Sequence, residues 1–296
     1  MQNNKLSQNF KQNIIISQKN EITEYHIYKK LSEMTKNAEN KKVLFNISKD
    51  ELEHYDTFKK YSKIEVKPFR FKIFFYIMLA KILGLTFSLK LMEKGEAKAQ
   101  INYEKIIQSL QESKKIMGDE QKHESELINM ISEEKLNYAG SIVLGLNDAL
   151  VEITSTIAGI TFTMQNSKLI ATTGLIMGIA ASLSMAASEY LSTKTGEEKK
   201  SKKNPITALL YTGISYILAV ILIVLPYFIF SNVYIALAVM LLTALTIIFL
   251  FTFYISVAKD VSFKKRFLEM AGVSMGIAIF TFLIGIVVRT VFGIEI

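Results

Sequence analysis

The stretch DELEHYD, at residues 50–56, decides the fold of the N-terminal half, and DEQKHES, at residues 119–125, repeats its frame. Both read Asp-Glu-x-x-His, and together they contain two of the three histidines in the chain. On an α-helix, residues i and i+3 share a face, so each glutamate and its histidine are predicted to point at one centre. The pairs are Glu51 with His54 and Glu120 with His123.

A second pattern precedes each copy of this motif. In NEITEYHIY and in EKGEAKAQINY a glutamate lies seven residues before a tyrosine, which is two helical turns on one face. These pairs are Glu21 with Tyr28 and Glu96 with Tyr103. The chain is therefore predicted to repeat a two-helix unit, which gives a bundle of four helices.

This set of side chains predicts a di-metal site inside the bundle. Two glutamates with two Glu-x-x-His motifs form the pattern of di-iron carboxylate bundles, and carboxylate with imidazole suits iron or manganese. The two tyrosines are predicted to contact the ligating carboxylates from outside. Glu24 competes with Glu21 on the first helix, and the tyrosine spacing favours Glu21. His26 has no such context and is expected to be a surface or packing residue.

The pattern resembles the ferritin-like superfamily, most closely rubrerythrin. The resemblance implies iron as the cofactor, with manganese as an alternative. It also implies metal ligands at Glu21, Glu51, His54, Glu96, Glu120 and His123, with Glu93 as an additional third-helix ligand. The rubredoxin module of rubrerythrins needs four cysteines, and this chain has none. Peroxidase turnover through that electron route is therefore not expected.

Composition divides the chain of 296 residues, half of them hydrophobic, into two parts. Residues 1–137 are rich in Lys, Glu and Asn, whereas residues 138–296 are mostly apolar, which predicts a soluble domain joined to a membrane domain. We expect no secretory signal in the polar first thirty residues. The absence of cysteine excludes disulfides, zinc fingers and cysteine-ligated iron–sulfur centres. The net charge of +8 comes with lysines clustered beside apolar spans, so nucleic acid is not an expected partner.

Five apolar stretches after Asn137 are each long enough to cross about 30 Å of hydrocarbon. They lie near 138–163, 168–191, 206–230, 233–258 and 268–292. The connections KTGEEKKSKKN and KDVSFKKR are strongly basic, whereas QNSK and SN carry a single lysine between them. The positive-inside bias therefore predicts a cytoplasmic N-terminal domain and an external C-terminus. The expected fold is all-α, with a cytoplasmic four-helix bundle followed by a five-helix transmembrane domain.

Charged side chains inside spans are costly and usually functional. Asp148 and Glu152 lie one turn apart in the first span, and Glu189 lies near the cytoplasmic end of the second, one turn after Met185. These side chains are candidates for a cation path. The simpler alternative for Glu189 is a headgroup-level residue that only marks the end of its span. Small residues are dense in these two spans, which suits close helix contact within the bundle or across a dimer.

The stretches GLNDALVEITSTIAG and GLIMGIAASLSMAASEYLS resemble the vacuolar iron transporter family over residues 138–296. The resemblance implies a five-span homodimer that exchanges Fe²⁺ or Mn²⁺ for protons. Asp148 would be the metal-path acid of the first span, Met185 the thioether of the second, and Glu189 the acid of its acid-Tyr ending. Eukaryotic members carry a glutamate-rich metal-binding insertion between spans two and three. Here that connection is short and lysine-rich, so metal capture must occur elsewhere or not at all.

Two stretches allow more than one interpretation. Residues 73–89, IFFYIMLAKILGLTFSL, carry one charge in seventeen. We expect them to stay cytoplasmic, because a crossing would split the metal site; they would lie on the membrane interface or form a dimer contact. The glutamates around the fourth helix form either a solvated face or an acidic route towards Asp148. They are Glu124, Glu126, Glu133 and Glu134.

The sequence thus predicts a prokaryotic cell-membrane transporter that exports Fe²⁺ or Mn²⁺ from the cytoplasm by proton antiport. Its ferritin-like domain (1–137) would capture or sense iron, with possible ferroxidase or peroxidase activity, and residues 138–296 would form the pore. One alternative is a membrane-anchored di-iron oxidase or peroxidase of the rubrerythrin type. Another is a structural dimerisation module with a decayed metal site. Three acids in the first two spans argue against a mere anchor.

Overall fold

The computed structural model describes residues 2–95, 112–129, 138–195 and 204–292. The described residues are helical apart from short connections, so the all-α prediction is confirmed. The chain divides into two compact units, residues 1–132 and 133–296. The predicted domain boundary at 137/138 stays a prediction, because residues 130–137 lie outside the described residues.

The N-terminal unit begins with two long helices that pack along each other, α1 (Gln2–Met34) and α2 (Ala38–Ser62). The three-residue connection between them forces a reversal. Its last residue, Asn37, caps α2 by accepting hydrogen bonds from the backbone N–H groups of Glu39 and Asn40. α2 ends at Lys63, which adopts the left-handed conformation with φ 57°.

The apolar stretch 73–89 is divided by Gly84. α3 (Arg70–Leu83) ends there, and α4, whose described part is residues 85–95, begins directly after it. Gly84 has φ 100°, a backbone conformation that residues with a Cβ rarely adopt. A fifth helix, α5 (Ser113–Asn129), packs on α2.

Side chains from all five helices form the core of this unit. They include Ile27, Tyr28, Leu31, Leu44, Ile47, Tyr76, Leu89, Met92 and Leu127. The core therefore joins both halves of the 73–89 stretch to the bundle. The ferritin-like identity of this unit stays a prediction.

The C-terminal unit consists of five long apolar helices, as predicted. They are α6 (Ala139–Met164), α7 (Ser167–Thr195), α8 (Pro205–Ile229), α9 (Val233–Ala258) and α10 (Phe263–Phe292). Each contains a segment long and apolar enough to cross a membrane, and 73–89 is not among these five candidate spans. The prediction of an integral membrane protein with five spans is confirmed, whereas its orientation stays a prediction.

Glycines bring α6 and α7 close to α8. A Cβ added at Gly145 would collide with the backbone carbonyl of Thr212, and one at Gly178 would collide with the side chain of Val220. Small residues at these contacts let helix backbones approach closely where no hydrophobic effect drives association. At least part of the small-residue density in the first two spans thus serves packing within this bundle.

Candidate metal centre

Four of the predicted ligands meet in the N-terminal unit. Glu21 from α1, Glu51 and His54 from α2, and Glu120 from α5 each offer one ligand atom, and these atoms all lie within 4.8 Å of one another. Glu21, Glu51 and His54 are buried, and Glu120 is half-buried. Three helices therefore supply the cluster, and the i, i+3 spacing puts two of its members on one face of α2.

The carboxylate of Glu51 lies between the two histidines of the repeated motif. Its Oε2 is 3.5 Å from Nδ1 of His54, and its Oε1 is 3.5 Å from Nδ1 of His123. Nδ1 of His54 is also 3.4 Å from Oε1 of Glu120 and 3.8 Å from Oε2 of Glu21. The rings of the two histidines are 6.1 Å apart. One carboxylate therefore faces both imidazoles.

The far side of each histidine is held by an aspartate from the other copy of the motif. Nε2 of His54 is 3.3 Å from Oδ2 of Asp119, and Nε2 of His123 is 3.0 Å from Oδ2 of Asp50. A carboxylate accepts, so each Nε2 carries a proton and donates it. In a neutral ring this fixes the tautomer and leaves the Nδ1 lone pair directed at the carboxylate cluster.

Burial and neighbouring charges shift the pKa values of the side chains in this cluster in opposite directions. Burial raises the pKa of Glu21 and of Glu120. For Glu51, burial is outweighed by the two histidines that face its carboxylate, which lower its pKa to about 2. For both histidines, burial acts to lower the pKa and the surrounding carboxylates raise it, to about 9 for His123. Without metal, the imidazolium ions thus serve as counter-charges, and metal binding must displace their protons.

The cluster fits a metal ion by its unmet hydrogen-bonding capacity as well as by its chemistry. Oε2 of Glu51 and Nδ1 of His54 and of His123 are buried and make no hydrogen bond with any described residue. Leaving such atoms unsatisfied is costly, and all three face the cluster. Hard carboxylates with imidazole suit iron or manganese.

The other predicted ligands are placed as follows. Glu24 is buried and pairs with Lys72 of α3, Nζ to Oε1 at 3.3 Å; burial raises its pKa to about 7. Glu93 is half-buried in the described part of α4. Tyr28 is buried in the apolar core of the unit. Glu96 and Tyr103, the third-helix pair of the repeat, lie outside the described residues, as do Glu133 and Glu134.

In the membrane unit, two of the predicted carboxylates, Asp148 and Glu152, lie one turn apart on α6, and the third, Glu189, lies on α7 and contacts α6. Oε1 of Glu189 accepts a hydrogen bond from the Ser141 hydroxyl at 2.6 Å, and Oε2 of Glu152 accepts one from the Tyr216 hydroxyl at 2.8 Å. Asp148 is half-buried between these two levels of α6. Ser141 precedes Asp148 by seven residues, a rise of about 10 Å along the helix.

Met185 is half-buried and packs against the apolar core of the membrane unit. Beside Asp148, the side-chain oxygen of Asn147 is buried without a hydrogen-bond partner among the described residues. α6 thus carries polar side chains at three levels: Ser141, which contacts Glu189 of α7; Asn147 and Asp148; and Glu152, which contacts Tyr216 of α8.

Residues 139–203 match the model of the VIT family. The matched residues include all four residues of the predicted transport path. The matched family is the one that the two membrane motifs resemble. The metal cluster of the N-terminal unit lies outside the matched residues. Among curated proteins no match was found.

Sequence reasoning missed four side chains that contact the candidate residues. Asp50 and Asp119 were visible in the repeated Asp-Glu-x-x-His frame, but their position beside the histidine of the opposite copy depends on how α2 and α5 pack. Ser141 and Tyr216 carry no motif of their own, since their roles follow from the register between the helices that bring them to Glu189 and Glu152.

Proposed function

We propose that this protein exports Fe²⁺ or Mn²⁺ from the cytoplasm across a membrane in exchange for protons. The observation that carries the proposal is the match of residues 139–203 to the VIT family, because this region holds every carboxylate of the predicted path. Asp148, Glu152 and Glu189 would bind the cation in turn, with Met185 as a soft ligand beside them. The hydroxyls of Ser141 and Tyr216 orient two of these carboxylates.

Coupling to protons follows from competition at these carboxylates. A divalent cation binds the ionised form, and protonation removes the charge that attracts it. Protons entering from outside would release the cation, and their later loss to the cytoplasm would restore the carboxylate charge. This cycle needs no nucleotide. Asp148 and Glu152 on α6, with Glu189 of α7 at the level of Ser141, would give the cation successive stops rather than one deep site, which favours release.

The cluster in the N-terminal unit would act before transport, by capturing cytoplasmic iron or by sensing it. Glu21, Glu51, His54, Glu120 and His123 would hold a di-iron or di-manganese centre, with Glu93 and Glu96 as further candidates. Iron held there adds one-electron redox chemistry. For this centre the chain would supply the carboxylate of Glu51, which faces both imidazoles, and two imidazoles oriented by Asp50 and Asp119.

Location and assembly belong to the same proposal. The basic loops between spans two and three and between spans four and five support a cytoplasmic N-terminal unit. The membrane would be that of a prokaryotic cell. The family resemblance supports a homodimer. The partners would then be Fe²⁺ or Mn²⁺, protons, lipid and a second copy of the chain.

Ion flux in proteoliposomes tests the proposal. The full chain is reconstituted under a pH gradient, and Fe²⁺ or Mn²⁺ flux is compared for the wild type, Asp148→Asn and Glu51→Ala. We expect flux in the wild type, none with Asp148→Asn, and slower flux at low metal concentration with Glu51→Ala. Glu269→Gln, an exposed acid on α10, serves as the matched control.

Two results would overturn transport as the function. Flux that persists in Asp148→Asn would remove the proposed path. A wild type that moves no metal yet consumes peroxide or oxidises Fe²⁺ would favour the membrane-anchored oxidase instead.

A further inference from the structure

α3 presents an exposed apolar stripe that the bundle does not cover. The side chains of Phe71, Phe74 and Ile82 are 79%, 64% and 65% exposed, and Met78 lies between them at 37%. At about 100° per residue these four fall within one narrow arc of the helix. No other helix in the described part of this unit exposes more than two large apolar side chains.

The direction of this stripe is fixed by the opposite face of the helix. Tyr76 is buried in the core, and Ile73 and Leu79 pack beside it. The carbonyl of Tyr76 accepts a hydrogen bond from the buried Ser88 hydroxyl of α4, at 2.8 Å. α3 is therefore held firmly on the bundle, and its outer face points away from it.

Basic side chains accompany the stripe. Residues 66–92 contain five basic residues, Lys67, Arg70, Lys72, Lys81 and Lys90, and no acidic one. Arg70 and Lys81 are exposed, and helical geometry puts both at one edge of the stripe. An apolar arc bordered by cations is the pattern of helices that lie in the interface of a bilayer with anionic lipids.

We propose that α3 docks the N-terminal unit on an anionic membrane surface, with Phe71, Phe74, Met78 and Ile82 entering the boundary between headgroups and acyl chains. With 14 residues the helix is about 21 Å long, too short to cross about 30 Å of hydrocarbon. Its inner face is committed to the bundle, so the helix lies on the bilayer and does not enter it further. The chain is itself anchored in a bilayer by five candidate spans, which keeps this surface at high local concentration.

A second copy of the chain fits the stripe less well than a bilayer does. A twofold contact would bring the same face of two α3 helices together. Each brings exposed cations at its edge and no acid of its own to pair with them, so the contact would place like charges side by side. Anionic headgroups instead neutralise both Arg70 and Lys81. This inference does not depend on what the protein transports.

Single cysteines make the test direct, because the chain has none of its own. The full chain is reconstituted in nanodiscs with anionic lipid, and Phe74→Cys or Ile82→Cys is labelled with an environment-sensitive fluorophore. We expect lipids brominated high on the acyl chain to quench both labels strongly, and lipids brominated near the terminal methyl to quench them less. Asn46→Cys, exposed on α2, should not be quenched, whereas Leu242→Cys, exposed within the span α9, should be quenched by both lipids.

Charge dependence supplies a second measurement on the same samples. Quenching of the Ile82→Cys label should fall in zwitterionic nanodiscs, and it should fall equally in anionic ones when Arg70→Gln and Lys81→Gln are added. Labels at 74 and 82 that stay as open to aqueous quencher as the label at 46 would overturn the proposal. Labels that are shielded from water and lipid but transfer energy between copies would overturn it in favour of a dimer contact.

Discussion

The two units arrange their carboxylates in opposite ways. In the N-terminal unit, groups from three helices converge within 4.8 Å, and each histidine that faces them is oriented by an aspartate. In the membrane unit, Asp148 and Glu152 lie on α6, Glu189 of α7 contacts α6 at Ser141, two turns before Asp148, and Glu152 and Glu189 each accept one hydroxyl hydrogen bond. Affinity rises with the number of charged ligands that a site brings together. Convergence therefore suits retention of a metal ion, whereas spacing suits its passage.

Removing Glu51 should have the largest effect on the retention of metal by the N-terminal unit. Glu51→Ala takes away the carboxylate that faces both histidines, so we expect the purified full chain to lose its tightly bound metal. Metal content per chain, measured after dialysis against a weak chelator, checks this. Glu53→Ala on the same helix is the matched control, because Glu53 is exposed and pairs with Lys115. Equal metal content in both variants would place the retained metal elsewhere.

Asp50→Asn should have the next largest effect. The amide keeps the size of the side chain but removes the negative charge that faces Nε2 of His123. Loss of such a partner costs about 10–100-fold in metal affinity. Asp119→Asn should cost about as much through His54, since the two contacts are equivalent. Competition of Mn²⁺ with a fluorescent chelator measures both. Asp56→Asn, exposed on α2, should change nothing, and a similar loss there would indicate a general charge effect.

The parts of this site that the sequence could predict are those fixed within one helix. The i, i+3 spacing of Glu51 and His54 places both on one face wherever α2 lies, and apolar length alone defined the five spans. The contact of Asp50 with His123 depends instead on the register between α2 and α5, which no local pattern encodes. The same holds for Tyr216 and Glu152, 64 residues apart in the chain. Hydrophobicity likewise could not show that the 73–89 stretch buries one half around Leu89 and exposes Phe74 in the other.

The pH dependence of metal retention should sharpen the comparison further. The pKa of His123 is raised to about 9, because Glu51 and Asp50 outweigh the effect of burial. This lies above the unfolded value of about 6.5, so the imidazolium stabilises the metal-free fold fully below that pH, and the contribution is lost as pH rises through about 9. Metal must displace this proton as well as that of His54, so its apparent affinity should rise with pH, and the slope should decrease by up to about tenfold per pH unit above about pH 9, where His123 is already neutral.

Mn²⁺ titrations of the full chain between about pH 6.5 and 9.5 measure this dependence. Asp50→Asn removes one of the carboxylates that raise the pKa of His123, so the decrease in slope should occur at a lower pH than in the wild type. An affinity that is independent of pH in the wild type would mean that His123 is neutral before metal binds, and would contradict the protonation states assigned to the cluster.

The smallest expected effect concerns the membrane unit, where each carboxylate has few partners to lose. Tyr216→Phe removes the hydroxyl that donates to Glu152 at 2.8 Å, a hydrogen bond with a net contribution of about 1 kcal/mol, or about fivefold in flux. Tyr211→Phe is the matched control on the same helix, because the ring of Tyr211 stacks on Tyr138 and the substitution keeps the ring. If Tyr216→Phe instead abolished flux as completely as Asp148→Asn, Glu152 and its hydroxyl partner would form a single deep site. The membrane unit would then resemble the N-terminal cluster, and the contrast between retention and passage would fail.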